Sequence, residues 1–270
     1  MGTTAQQEQI VGEAAGVPFV ALPPAGDAPA PLVVAWHMMS PPCTEVAMAA
    51  AVPMRGLRAW RVHFGLPMHG RRLPPGGYEE FFRLASEDNV LNVVEPVTEQ
   101  VAQEFPAAVA DLRSRLSIAD GPIGIAGGSA GGAAAMEVLA RGEVPIAAAA
   151  LVNPVAQLTP VVAANERRYE VVYHWSARSR AVAERYDYVR RADELAADVL
   201  LVIGEQDDVA IREPAAALAK ALGDRGEQVI IPGMAHELAE APGIEAAPQT
   251  EHARAVDAEL TKWFARRLSV

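Results

Sequence analysis

Short, uniformly apolar segments alternate with longer amphipathic ones along most of this chain. Examples of the apolar runs are PLVVAWH (31–37), GPIGIAG (121–127) and ADVLLVIG (197–204). The segments between them, such as GGAAAMEVLARG (131–142), repeat apolar residues at the spacing of a helix face. Buried strands alternating with such helices are typical of a mostly parallel sheet covered on both faces. The pattern predicts a three-layer α/β fold with about eight strands, in a single domain over residues 1–270.

Three segments add detail to this prediction. EQIVGEAAGVPFVAL, close to the N-terminus, predicts a hairpin that turns around Ala14 to Gly16. The segment 93–116 has helical spacing, but Pro106 lies inside it and would kink or divide a helix. PIAAAALVN (145–153) is compatible with a strand or with another kind of buried, small-residue segment.

The alternation breaks where residues 157–194 form a long insert. Its aromatic residues are Tyr169, Tyr173, Trp175, Tyr186 and Tyr188. Ligands of open α/β sheets bind at the carboxyl ends of the strands, where an insert of this length would form a lid or cap. These aromatic residues would either contact a substrate or anchor the lid to the body, and the sequence favours neither.

A single serine stands among glycines in IGIAGGSAGG, residues 123–132. GGSAG (127–131) satisfies the pattern G-x-S-x-G, with a predicted strand before it and a predicted helix after it. In that setting the serine lies in a tight, strained turn that lifts its Oγ above the sheet edge, and the glycines let strand and helix approach. A phosphate-binding turn is the poorer interpretation, because the stretch lies mid-chain and no Walker lysine follows. The stretch therefore predicts Ser129 as a nucleophile.

A serine hydroxyl is a weak nucleophile, so Ser129 needs a base and an acid that orients the base. Of the six histidines, His236 lies just past the last predicted strand, in a loop that can reach over the strand ends. Asp207 follows ADVLLVIG, with Asp208 and Glu205 as close competitors for the role of the acid. The predicted catalytic triad is Ser129, Asp207 and His236.

These motifs resemble the α/β-hydrolase superfamily over nearly the whole chain, and the order Ser, Asp, His is the order of its triads. GGSAGG is similar to the nucleophile turn of hormone-sensitive-lipase-type esterases and of prolyl-oligopeptidase-like peptidases. IGEQDD and PGMAHE resemble the acid and histidine turns of the superfamily. The resemblance implies an ester, thioester or amide hydrolase with an α/β-hydrolase fold, and it implies neither a cofactor nor a metal.

The expected oxyanion hole departs from the pattern of these relatives. The backbone N–H of Ala130 is expected as one donor, and the loop after LVVAW as the source of the other. Esterases of this type carry H-G-G-G in that loop and the peptidases H-G-G-P, whereas this chain has HMMSPP (37–42). A backbone donor does not depend on the side chain, so either Met38 or Met39 is expected to supply the second N–H.

Methionines in place of glycines would make the acyl side of the site narrow and apolar. His37 is expected to order this loop by hydrogen bonding rather than to act as the base. The residues expected to contact the substrate are His37, Met38, Met39, Tyr169, Tyr173 and Trp175. They predict a small to medium apolar or aromatic substrate, an ester or a thioester.

Charge and composition exclude other classes of function. The formal net charge of −11 would repel a phosphate backbone, so no nucleic-acid partner is expected. Cys43 is the only cysteine, which rules out an internal disulfide and a cysteine-based zinc site and predicts a packed free thiol. MGTTAQQEQI lacks the features of a secretory signal, and the longest apolar stretches are too short to span a bilayer. A cytoplasmic protein with no membrane partner is expected.

The leading prediction is a carboxylesterase-like serine hydrolase, and the sequence leaves three alternatives open. A peptidase agrees with the prolyl-oligopeptidase-like turn, although the sequence contains no propeller domain of the kind found in that family. An acyltransferase or ester synthase would use the same triad in a site from which a lid excludes water. A non-catalytic binding protein would lack a triad member, and all three candidates are present.

Overall fold

The computed structural model describes residues 9–26 and 28–268. The strands are β1 (Ile10–Ala14), β2 (Val17–Leu22), β3 (Leu32–Trp36), β4 (Trp60–Phe64), β5 (Ile123–Gly128), β6 (Ile146–Val152), β7 (Asp198–Gly204) and β8 (Gly226–Ile231). They form one eight-stranded sheet in the order β1-β2-β4-β3-β5-β6-β7-β8. β2 pairs antiparallel with β1 and with β4, and the other neighbouring pairs are parallel. The predicted mostly parallel sheet is confirmed.

Helices connect most of these strands. They are α1 (Glu45–Ala51), α2 (Gly77–Asn89), α3 (Glu95–Arg115), α4 (Ala130–Arg141), α5 (Leu158–Tyr169), α6 (Ala177–Arg185), α7 (Val209–Leu222) and α8 (Glu251–Arg267). α1 and α8 pack in the hydrophobic cluster on one face of the sheet, and α3, α4 and α7 in the cluster on the other. The central strands are therefore buried on both faces, which explains why their sequences are apolar without alternation.

The structure decides the segments that the sequence left open. α3 runs from Glu95 to Arg115 as one helix with Pro106 inside it. The small-residue segment forms β6, and Ala14 and Val17 are paired in the predicted hairpin between β1 and β2.

The insert at 157–194 consists of α5, α6 and a short 3₁₀ turn, and its second half is fixed to the body of the domain. Tyr186 and Tyr188 are buried. The hydroxyl of Tyr188 donates to Oε2 of Glu137 in α4 at 3.2 Å, and Arg191 forms an ion pair with the same carboxylate at 3.2 Å. These tyrosines anchor the insert, as one of the two sequence interpretations holds.

Tyr173 and Trp175 also serve as anchors. The hydroxyl of Tyr173 donates to Oδ1 of Asp88 at 2.5 Å, and its ring meets that of Trp175 edge to face, with the centroids 4.8 Å apart. Burial, together with the hydrogen bond to Asp88, raises the pKa of Tyr173 to about 12. Tyr169, by contrast, is 64% exposed.

Cys43 is buried beside the loop that precedes α8. Its Sγ lies 3.4 Å from the carbonyl oxygen of Gly243, and burial raises the pKa of the thiol. A thiol in such surroundings stays protonated and behaves as a small packed group.

Among residues 9–26 and 28–268, every helix is too short or too polar to cross a lipid bilayer.

Candidate active site

Ser129 lies in the sharp turn between β5 and α4, at the carboxyl edge of the sheet. Its backbone has φ 50° and ψ −115°, a conformation that strains any residue other than glycine. A Cβ atom at Gly127 would lie 2.1 Å from the carbonyl oxygen of Gly131, and one at Gly131 would lie 2.3 Å from that of His37. Only glycine fits at these two positions, as the sequence predicts for this turn.

Two further loops at the same sheet edge bring partners to Ser129. Asp207 follows β7 and His236 follows β8, and because these strands are parallel neighbours their loops emerge side by side. Nε2 of His236 lies 2.9 Å from Oγ of Ser129, and Nδ1 of His236 lies 2.8 Å from Oδ2 of Asp207. The structure therefore brings the three predicted side chains into one hydrogen-bonded chain.

The hydrogen bonds of Asp207 orient the imidazole. The carboxylate is buried, and its Oδ1 accepts the backbone N–H of Asp208 at 2.6 Å, which leaves Oδ2 for His236. A carboxylate beside Nδ1 favours the tautomer that carries its proton there, so Nε2 presents a lone pair to the hydroxyl of Ser129. In this arrangement Ser129 donates to His236, which is the geometry needed for removal of its proton.

The two competing acids have other partners. Oδ1 of Asp208 accepts a backbone N–H two residues later and caps the N-terminus of α7. Oε2 of Glu205 accepts the backbone N–H of Gly233 at 2.8 Å. Asp207 is the carboxylate that pairs with His236.

The structure distinguishes the two methionines that were candidates for the second oxyanion donor. The N–H of Met38 donates to the carbonyl oxygen of Pro42 at 3.1 Å, and its side chain is fully buried in the core. Met38 is therefore neither a free donor nor a substrate contact. This leaves Met39 as the candidate for the second donor and corrects the expectation that Met38 contacts the substrate. Met39 lines the cavity beside Ser129. Ala130 is the first residue of α4, so no carbonyl within that helix accepts its N–H.

His37 orders the loop and lies away from the cavity wall. Its Nδ1 lies 2.6 Å from the carbonyl oxygen of Met38, and its Nε2 accepts the N–H of Leu66 at 2.9 Å. Complete burial, together with the nearby His69, lowers the pKa of His37 to about 3. The neutral ring joins two segments, and the expectation that His37 contacts the substrate is corrected.

A cavity of about 290 Å³ adjoins Ser129 and His236. Its apolar wall is formed mainly by small aliphatic side chains, among them Ala133, Val155, Leu158, Val161, Val162 and Ile211. Its polar residues include Arg168, Asp208 and Glu237. The cavity therefore offers a short aliphatic space next to the serine and charged groups on part of its wall.

Much of the cavity wall comes from residues that the sequence interpretation did not single out. Tyr173 and Trp175 are not part of it, because they pack against each other and the body, so their expected substrate contact is corrected. Tyr169 does line the cavity. The rest of the α5 contribution lies at 158, 161, 162, 164, 165 and 168, along one broad helix face. The helical spacing of these positions could have identified them in the sequence, whereas the prediction relied on the aromatic residues.

Comparison with known proteins bears on the family and on the fold of the chain. Residues 95–269, more than half of the chain, match the sequence model of the prolyl oligopeptidase family. No curated protein sequence gives a significant match.

The fold is similar to that of a puromycin-hydrolysing peptidase from Mycobacterium tuberculosis, with a TM-score of 0.66 and 21% identity over 96% of this chain. This chain spans 40% of the length of that protein. A cold-adapted esterase from an Arctic intertidal metagenomic library gives a TM-score of 0.61 at 20% identity, over 96% of this chain and 93% of the esterase. Dienelactone hydrolase from Anabaena variabilis gives 0.61 at 16% identity, over 97% of this chain and 99% of that enzyme. These likenesses show the α/β-hydrolase fold.

Proposed function

The chain belongs to the prolyl oligopeptidase family of serine hydrolases, and from that premise we propose that it cleaves carboxylic esters or thioesters through an acyl-enzyme on Ser129. The hydrogen-bonded chain Ser129–His236–Asp207 beside a cavity is the observation that carries the proposal. The preferred substrates are small to medium acyl compounds, because the cavity of about 290 Å³ lies at the small end of ligand sites.

The first half of the reaction begins with attack of Ser129 Oγ on the acyl carbonyl carbon. Nε2 of His236 takes the hydroxyl proton as the new C–O bond forms. Asp207 keeps Nδ1 protonated and stabilises the imidazolium that results. His236 then gives the proton to the leaving alcohol or thiol, and the acyl group stays on Ser129.

The developing oxyanion is stabilised by the backbone N–H groups of Ala130 and Met39. The first belongs to the N-terminal turn of α4, where unpaired N–H groups and the helix dipole favour negative charge. The second belongs to the loop after β3, beside the same cavity. Donors fixed in place before the reaction supply the largest single electrostatic contribution in acyl transfer.

A water molecule completes the cycle. His236 removes a proton from this water as it attacks the acyl-enzyme, and the collapse of the second oxyanion returns the proton to Ser129 Oγ. An alcohol in place of the water would give acyl transfer by the same steps, and this is the outcome to distinguish from hydrolysis.

Peptide or aminoacyl amide cleavage is the second candidate, because the matching family is one of peptidases. Amides and esters share the same attack and the same oxyanion, but an amide leaving group must be protonated by His236 before it departs. A small cavity with Asp208 and Glu237 on its wall would accept a protonated amino group as well as an alkyl chain.

Labelling with a fluorophosphonate tests the nucleophile. Wild type should label, and Ser129→Ala should not. Ser114→Ala is the matched control, because this exposed serine in α3 donates only to a backbone carbonyl within its own helix. Equal labelling of wild type and Ser129→Ala refutes the assignment, and so does full esterase activity in His236→Ala. Absence of labelling in wild type favours the non-catalytic binding protein.

A substrate panel separates the reaction classes. p-Nitrophenyl esters from C2 to C12 should give the highest kcat/KM at short to medium chain length, because the aliphatic cavity is small. An aminoacyl anilide tests the peptidase candidate, and an added alcohol acceptor tests acyl transfer. A kcat/KM for the anilide above that of every ester would replace the esterase proposal with the peptidase.

A further inference from the structure

Asn153, the first residue after β6, is completely buried. Its φ of 43° lies in the left-handed region, which Asn adopts more readily than most residues. We propose that Asn153 is a positioning residue that ties the loop bearing His236 to the end of β7 and so fixes the distance from His236 Nε2 to Ser129 Oγ. The inference rests on the proposed function, because Asn153 would act through the triad.

The side-chain amide of Asn153 bridges two backbone segments. Its Oδ1 accepts the N–H of Gly204 at 2.8 Å. Its Nδ2 donates to the carbonyl oxygens of Ala235 and His236, at 3.0 and 3.1 Å. Gly204 is the last residue of β7, the strand that leads to Asp207. The amide therefore joins the segment that carries the acid to the segment that carries the base.

The backbone around Asn153 holds the nucleophile as well. The N–H of Ser129 donates to the carbonyl oxygen of Val152 at 2.9 Å, and the N–H of Val155 donates to that of Ser129 at 3.3 Å. The N–H of Asn153 itself donates to Val202 in β7 at 3.0 Å. The short turn at 152–155 thus contacts the backbone of Ser129 through its own backbone. Through the Asn153 side chain it contacts the backbone of the loop that carries His236.

Only an amide satisfies all of these groups. An ionised carboxylate would turn its lone pairs toward the two carbonyl oxygens. An aliphatic side chain would leave the buried N–H of Gly204 and two partly buried carbonyl oxygens without their partner. The contact is also tight, since a Cβ atom at Gly204 would lie 2.5 Å from the carbonyl oxygen of Met234 and 2.6 Å from that of Ala235. The histidine loop therefore packs directly on the strand end. The Asn153 amide is one of its polar connections there, beside the backbone hydrogen bond from the N–H of Gln206 to the carbonyl oxygen of Met234 at 2.8 Å.

Asn153→Gly isolates the effect of the side chain. Glycine adopts a positive φ without strain, so the backbone of the turn is retained while the three hydrogen bonds are lost. A displacement of about 1 Å at a catalytic group is enough to cost about 100-fold in rate. We expect kcat to fall roughly 10- to 100-fold while KM stays within about threefold, because Asn153 is not part of the cavity wall.

Asn153→Asp adds a signature in the pH profile. The new carboxyl group keeps the acceptor for Gly204, and its protonation restores one donor for the histidine loop. Burial raises the pKa of such a group, so we expect the ratio of wild-type to variant kcat to shrink by at least about threefold between about pH 8 and pH 6. Wild type and variant share the other titratable groups of the two loops, so the carboxyl group at 153 is the one titratable group by which they differ: the shared groups are Glu205, Asp207, Asp208, His236 and Glu237.

Leu260→Ala is the matched control, because it removes a buried side chain in α8 without touching the triad. The proposal is supported if Asn153→Gly loses at least tenfold in kcat while Leu260→Ala, at a comparable loss of Tm, does not. It is overturned if Asn153→Gly keeps kcat within about twofold of wild type, or if the two variants lose kcat alike. If Asn153→Gly does not fold, the pH ratio of Asn153→Asp decides, and a ratio independent of pH overturns the proposal.

The same assays keep this inference distinct from the proposed function. Esterase activity that Ser129→Ala abolishes establishes the nucleophile independently of Asn153. A wild type without hydrolase activity refutes both proposals. An active wild type whose kcat is indifferent to Asn153→Gly refutes only the positioning role.

Discussion

Two adjacent aspartates allow a sharp test of the acid in the triad. Asp207 and Asp208 differ by one position in the chain, but one accepts from His236 and the other caps α7. Replacement of each by asparagine keeps the volume and removes one charge. The two variants therefore differ only in which hydrogen bonds they alter.

The structure indicates how Asn at position 207 would fail. The backbone N–H of Asp208 already donates to Oδ1 at 2.6 Å, so the amide oxygen of an asparagine would take that place and its NH₂ would face His236. A donor facing Nδ1 forces the imidazole proton onto Nε2, the atom that must accept from Ser129. In a serine protease the equivalent change lowers kcat by about 10⁴-fold without disturbing the geometry. We expect Asp207→Asn to lower kcat by about 10³- to 10⁴-fold.

The same substitution at position 208 should have little effect. Oδ1 of Asp208 accepts the N–H of Ala210 at 2.8 Å as the N-cap of α7, and asparagine is about as good a cap as aspartate. We expect kcat within about threefold of wild type and an unchanged Tm. Both variants should be assayed for kcat and KM on one p-nitrophenyl ester, with folding checked by circular dichroism. A large loss in Asp208→Asn with a small loss in Asp207→Asn would refute the assignment.

Three further predictions concern the folded state, each checked by an unfolding measurement. Gly131→Ala places a Cβ atom 2.3 Å from the carbonyl oxygen of His37. The substitution should therefore lower the free energy of unfolding in urea by about 1–3 kcal/mol and slow fluorophosphonate labelling of Ser129. An unchanged free energy of unfolding would contradict the close approach. Burial lowers the pKa of His63 to about 3, below its unfolded value of about 6.5. The full stabilisation is present above about pH 6.5, where the histidine is neutral in both the folded and the unfolded state. From there toward pH 3 the folding equilibrium constant falls by up to about tenfold per pH unit. His63→Leu should flatten the acid limb of stability, since it removes a buried imidazole whose nitrogens have no hydrogen-bond partner among the described residues, and an unaltered limb would refute this. Glu137→Gln weakens the ion pair with Arg191 that anchors the insert. It should lower the free energy of unfolding by about 1–3 kcal/mol in thermal unfolding and raise the rate of proteolysis within residues 157–194. An unchanged rate of proteolysis would argue against the anchor.

The elements that the sequence predicts best are those where one residue type meets a steric demand. Glycines at 127 and 131 are required by contacts of 2.1 and 2.3 Å, so the pattern around Ser129 carries its own structural context. Asp207 and His236 follow strand ends, and the ends of parallel strands meet at one sheet edge. The position of each residue relative to a strand end was therefore enough to predict that the two lie close together.

The details that the sequence could not supply depend on local hydrogen bonds and on how distant segments of the chain pack against each other. Nothing in the run of two methionines distinguishes Met38 from Met39. The difference arises because the Met38 N–H turns back to Pro42 while its side chain enters the core. The aromatic residues of the insert were ambiguous for a similar reason. Tyr173, in the loop between α5 and α6, donates to Asp88 of α2, which lies 85 residues away in the chain.

Chemistry and selectivity at this site rest on different parts of the fold. The triad is held by strand ends and, as we propose, by Asn153, whereas much of the apolar wall comes from α5, which lies in the insert outside the sheet. Leu158 and Val162 hold α5 in the hydrophobic core, and the second half of the insert is fixed to α4 through Glu137, so α5 lies over the cavity without contributing a triad atom. A larger side chain at Val161 should therefore narrow the range of acyl chains while fluorophosphonate still reacts with Ser129 at the wild-type rate. Loss of the Asn153 amide should slow both reactions together, because it displaces the base on which both depend.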